Sequence, residues 1–179
     1  DAVLSRAIDV VLAFPFLLFA LAIVSVAGPS LWMVIGVIIF FSWAAVARIV
    51  RGETLAICEG KYVEAARSMG SGATRVMLVE VLPNLVAPVL VYATFLIPVS
   101  IVFEATLSYL GMGLVPPAAS WGKMLADAQQ YYEVAPWLLL APGVALMATT
   151  ISFNVLGDRL RDALDPVGSR PNRSAESSR

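Results

Sequence analysis

The chain has 179 residues, 59% of them hydrophobic and only 14% charged, with 12 Lys and Arg against 13 Asp and Glu. A mean hydropathy of +0.83 lies outside the range of soluble domains, and a chain of this size has too little polar surface to enclose so much apolar sequence as a soluble core. The net charge of −1, without a basic cluster interleaved with aromatics, argues against a nucleic-acid partner, and the lack of any histidine removes Ser-His and Cys-His dyads and the H-E-x-x-H zinc site.

The pattern predicts an all-α, polytopic transmembrane bundle. Val10 to Ala47 carries no charged side chain and is twice too long for one span, which needs roughly 20 apolar residues. Gly28-Pro29-Ser30 divides it, since glycine supplies turn geometry and proline cannot continue a helix, giving spans over about 10–27 and 31–48. Residues 53–84 are polar by comparison. There Glu59 to Met69 are good helix formers, with Tyr62, Ala66 and Met69 on one stripe. Gly70 suits a helix C′ position with left-handed backbone, Ser71 is placed to cap a second helix, and Leu82-Pro83-Asn84 ends that helix before the next span. The result is a helix-turn-helix whose small residues Ala65, Ala66, Ser68 and Gly70 leave a shallow face, with Glu64 and Arg67 at its rim. Cys58, the only cysteine, has no disulfide or metal-ligand partner and reads as a space-filling residue.

A third span follows over 85–110. Pro88 and Pro98 within it fit a moving helix and a merely bent one equally. Glu104, near the outward end of this span, reads as a solvated or hydrogen-bonded structural carboxylate rather than a proton relay or substrate ligand. In the 111–133 segment, Pro116-Pro117 stops one stretch and Ser120 is an N-cap for the next. Trp121, Met124, Leu125, Ala128 and Tyr132 then recur at helical spacing, describing a short helix that plugs the outer rim and touches an outside partner through Trp121, Met124 and Leu125. The fourth span covers 135–157. The serine- and arginine-rich stretch over 167–179 reads as a disordered tail.

Cations set the orientation, because Lys and Arg near span ends stay cytoplasmic. Arg6 precedes the first span; Arg48, Arg51, Lys61, Arg67 and Arg75 lie between the second and third; Arg159 and Arg161 follow the fourth, and only Lys123 falls elsewhere before the arginines of the tail. Residues 53–84 and both ends are therefore expected in the cytoplasm, and 111–133 outside. The only Gly-Lys pair, Gly122-Lys123, continues with Met124, so no phosphate-cradling G-x-x-x-x-G-K-[ST] exists and any ATP is bound by another chain. No catalytic constellation, metal site or cofactor is expected.

Glu64-Ala65-Ala66, three residues, Gly70, and then Leu82-Pro83 resemble the E-A-A-x3-G-x9-I-x-L-P signature in the cytoplasmic loop of bacterial ABC importer permeases. The departure is at the isoleucine position, which is Glu80, with Val81 supplying the aliphatic residue one place later. FEATLSYLGMGLVPPAASWGKMLAD at 103–127, APWLLLAPGVAL at 135–146 and FNVLGDRLRDALDP at 153–166 resemble the peptide and nickel branch, in particular its second-permease subunit. The resemblance implies a permease core of the type I importer kind with four spans in this chain, in the bacterial inner membrane. It would form half of a pathway for peptides or a related solute such as nickel. Its implied partners are a second permease subunit, two cytoplasmic ABC ATPases and a periplasmic or lipid-anchored solute-binding protein, besides membrane lipid. Glu64, Ala65, Ala66, Arg67, Met69, Gly70, Leu82 and Pro83 would form the ATPase-coupling loop. Starting at Asp1 just before a span, the chain looks like the C-terminal core of a longer permease. A stand-alone secondary transporter or channel subunit is the alternative reading, and an intramembrane enzyme a distant third.

Overall fold

In the computed structural model, which describes residues 2–164, every regular element is a helix. Helices α1 (Ala2–Ala13) and α2 (Phe16–Ala27) meet at a bend of 79°. This corrects the expectation of one helix over about 10–27. Pro15 has no N–H to donate and its ring disfavours helical backbone at Phe14, so α1 stops there and α2 restarts with the Phe19 N–H donating to the Pro15 carbonyl at 3.1 Å. Twelve residues rise only about 18 Å, short of the roughly 30 Å of hydrocarbon, so the two halves make at most one broken crossing. The break brings Phe16 edge-on to Phe41, centroids 5.0 Å apart, and stacks Phe19 on Phe40 at 5.4 Å.

Gly28, at φ 88, closes α2, and Ser30 caps α3 (Leu31–Cys58), its hydroxyl oxygen accepting from the Met33 N–H at 3.2 Å. Helix α3 runs ten residues past the expected end at 48. The apolar run stops there, but Arg48 to Cys58 contain no proline and continue the turn. After α4 (Lys61–Ser68) come α5 (Ala73–Arg75), a π-helical turn (Val76–Val81) and α6 (Leu82–Tyr109). These three join into one 37-residue helix from Ala73 to Tyr109, so Leu82-Pro83-Asn84 does not end the preceding helix as the sequence suggests. Pro83 lies just past the π-helical turn, and Pro88 and Pro98 lie further along the same helix without breaking it. Helix α7 (Trp121–Ala128) and a 3₁₀ turn (Gln129–Tyr131) lead to α8 (Trp137–Leu164), which also outruns its apolar stretch.

Helix α6 is the axis of the bundle, packed by α3, α7 and α8. One buried cluster, Ala20, Val34, Val37, Phe41 and Leu107, joins the broken pair to α3 and α6. Small residues set the closest approaches: a Cβ on Gly122 would overlap the Ala105 carbonyl oxygen, and one on Gly157 would stand 2.8 Å from Thr94 Oγ1. Among the described residues three helices are long and apolar enough to cross a membrane, Leu31–Cys58, Ala73–Tyr109 and Trp137–Leu164, and the bent pair is a candidate fourth. In their most apolar windows only 17%, 11% and 6% of residues are buried. Apolar side chains thus cover the outside of the bundle, which is the arrangement for a hydrocarbon solvent. The tail over 167–179 lies outside the described residues.

Candidate functional site

The polar helix-turn-helix sits at one end of the bundle. Glu64 lies in the first turn of α4 and Arg67 in the last, each matching the helix dipole at its end. The turn closes as a Schellman motif: the Gly70 N–H donates to the Arg67 carbonyl at 2.9 Å and the Ser71 N–H to the Ala66 carbonyl at 3.1 Å, with Gly70 at φ 83. Gly70 therefore has the left-handed backbone expected of it. Ser71, however, is not a cap. Its backbone is used in closing α4, and α5 begins after Gly72 with no side-chain cap.

Helix α4 is seated from below by Val63, fully buried, on a small core of Val76, Val81 and Leu85 flanked by Val50, Ile57 and Cys58, and Ala66 is buried too. The expected stripe does not form. Ala66 packs inward, and Tyr62 and Met69 are exposed, so the three form no single face. The face turned away from the bundle consists of Glu64, Ala65, Arg67, Ser68 and Met69, the last 81% exposed. Cys58 fills space against this core, as read from the sequence. Arg67 also lines a cleft of about 400 Å³ with Thr54 and Cys58. Leu82 and Pro83 are exposed.

The π-helical turn decides which aliphatic residues are buried. In a π turn residues five apart stack, because the hydrogen bonds run from i+5 to i; the Leu82 N–H donates to the Met77 carbonyl. Val76 and Val81 consequently share the buried face, and Glu80 is only half-buried, with its carbonyl accepting from Asn84 Nδ2 at 2.6 Å. One extra residue in the helix moves the packing position from 80 to 81.

At the opposite end Ser120 caps α7, its oxygen accepting from the Lys123 N–H at 3.1 Å. Gly122 and Ala128 are the buried contacts of α7, Trp121 and Leu125 are half-buried, and Met124 is exposed. Helix α7 thus packs against both α6 and α8 and rides on the end of α6 through Gly122 and Ala105. The missed residue is Gly122, whose role depends on another helix and has no local signal. Buried Ser108 donates to Glu104 Oε1 at 2.6 Å and accepts from the Leu114 N–H at 3.3 Å, so Glu104 is a hydrogen-bonded carboxylate. No group of three or more His, Cys, Asp or Glu suited to a metal ion occurs among the described residues.

A helical bundle with an apolar exterior and a folded, charged turn at one end defines a multi-pass membrane protein. Residues 1–167 match the family described as binding-protein-dependent transport system inner membrane component, and the chain belongs to that family. It is similar to the oligopeptide transport system permease protein OppC of Salmonella typhimurium (strain LT2), 40% identical over 166 residues, 93% of this chain and 55% of the relative. The glutathione transport system permease protein GsiD of Salmonella typhi is 43% identical, and the dipeptide transport system permease protein DppC of Alkalihalophilus pseudofirmus 40%, with the same coverage. The chain spans about half the length of these curated relatives.

Proposed function

We propose that this chain is the membrane core of a permease subunit in an ATP-driven importer, forming half of a translocation pathway and taking its energy from a separate ATPase through residues 60–84. The solute would be a peptide or a related small molecule; the relatives' names favour a peptide over nickel. A second permease subunit, two ATPases and a solute-binding protein complete the assembly. The 53–84 segment and both ends face the cytoplasm in this reading, supported by the cations that gather there.

One observation carries the coupling role: α4 exposes Glu64, Ala65, Arg67 and Met69 while Val63 fastens it to a helix that runs unbroken from Ala73 to Tyr109. Force applied to α4 reaches Val76 and Val81 by direct packing. From there it travels along a continuous rod of roughly 55 Å to the end that bears α7. The match of Glu64-Ala65-Ala66, Gly70 and Leu82-Pro83 to the E-A-A signature supports the same segment.

Reversing the charge at Glu64 tests this. Losing one partner of a buried ion pair costs about 2–5 kcal/mol, against about 0–1 kcal/mol for an exposed one. In the complete reconstituted transporter, Glu64→Lys is expected to reduce solute-stimulated ATP hydrolysis and uptake by at least tenfold, a loss of about 1.4 kcal/mol or more. Unchanged hydrolysis, uptake and ATPase binding would make Glu64 a solvated helix residue.

A further inference from the structure

We propose that the groove between α3, α6 and the start of α7 is a subsite for the ammonium group of a peptide's amino terminus, with Glu104 as its counter-charge. The inference rests on the importer reading above and names what this groove would recognise. The groove has a volume of about 540 Å³, within the roughly 300–1,000 Å³ of small-molecule sites. Val34, Ile35, Ile38 and Ile101 give it apolar walls and Trp121 an aromatic one. Among the described residues Glu104 is the only charged side chain lining it.

This carboxylate is held in place by the Ser108 hydrogen bond and has no cationic side chain paired with it among the described residues. Ser108 occupies one lone pair of Oε1, and a carboxylate offers about four. The cation nearest in the adjoining helix, Lys123, pairs with Asp127 at 2.7 Å instead. A glutamine would satisfy the Ser108 hydroxyl equally well, so hydrogen bonding gives no reason for a charge at this place. A charge in an apolar groove of a spanning helix is costly and marks a site that meets its partner there. A bare metal ion does not fit, since one carboxylate without further acidic, histidine or cysteine ligands cannot complete a coordination shell. A cation on an apolar body does: the ammonium lies against Glu104 and the body against Ile35, Ile101 and Trp121, where an aromatic face favours cations.

The test uses the complete transporter in lipid nanodiscs without its solute-binding protein, at about pH 6.5, where a peptide amino terminus with an ordinary pKa of about 7.7–8.0 is protonated. Equilibrium dialysis of labelled Ala-Phe-Ala and of its N-acetylated form reads the preference directly. The unmodified complex is expected to bind the free amine at least about tenfold more tightly, and Glu104→Gln, which keeps the acceptor for Ser108, to remove that preference while leaving the acetylated peptide unaffected. Ser100→Lys, one helical turn from Glu104 in the same groove, supplies an internal ammonium and is expected to abolish the preference as well. A preference that persists in either variant, an equal loss of both peptides in Glu104→Gln, or equal binding of both to the unmodified complex would overturn the subsite. ATP-dependent peptide uptake by the unmodified complex with its binding protein separates the two readings. Uptake without a Glu104 effect sinks the subsite alone, and absence of uptake for any peptide sinks the importer reading.

Discussion

Gly70 and Gly122 are glycines for opposite reasons. A Cβ on Gly70 would meet nothing within 4 Å, so its demand is conformational: φ 83 places any other residue in the left-handed region at about 1–2 kcal/mol. Gly70→Val is expected to lower the stability of the turn by about 2 kcal/mol, reducing transport while membrane insertion persists; comparing uptake with the amount of inserted protein checks it. At Gly122 the demand is space, because a Cβ would collide with the backbone of Ala105. Gly122→Ala is expected to cost about 1–3 kcal/mol as α7 is pushed off α6, read as a lowered midpoint in thermal unfolding of the purified protein. Gly70 was legible in the sequence because a glycine following a run of helix formers is a local signal. Gly122 was not, since the residue that requires it belongs to another helix. Ser71 shows the limit of local signals: its type suits a cap, yet the closing of α4 had already taken its backbone.

At the scale of elements, the same residue type gives different outcomes. Pro15 breaks its helix, whereas Pro88, Pro98 and Pro142 stay inside theirs. The missing N–H is common to all four. What accompanies the break at Pro15 is packing just beyond it, where Phe16 and Phe19 both meet Phe41. That contact is tertiary and leaves no trace in the spacing. The π-helical turn was hidden similarly: an aliphatic residue one place late looks like a departure from a motif until five-residue stacking puts Val76 and Val81 on one face. Its consequence is testable through Val63, the side chain that seats α4 on this turn. Val63→Asp buries a carboxylate without a partner at a cost of about 2 kcal/mol or more. Faster amide exchange over 61–68 is expected, with ATP hydrolysis continuing and uptake lost. Unchanged exchange would mean that α4 is held by something other than this core.

For the whole molecule, composition announced the membrane class, because apolar residues far outnumber what a chain this short can bury. The ends of helices were less legible: α3 and α8 outrun their apolar stretches, since hydrogen-bonded turns continue wherever propensity allows and hydropathy marks only the part that suits hydrocarbon. The Glu104 groove was illegible as a cavity, being assembled from α3, α6 and the start of α7. In the proposed function the exposed face of α4 meets an ATPase on the cytoplasmic side while α7 lies on the other. Met69 on the first and Met124 on the second are both exposed, at 81% and 48%, and so take a photo-reactive side chain without loss of packing. With the complete transporter in native membranes, illumination is expected to join position 69 to the ATPase subunit and position 124 to none. Cross-linking of the ATPase through 124, or its absence at 69 in a complex that hydrolyses ATP, would contradict both the orientation and the coupling role.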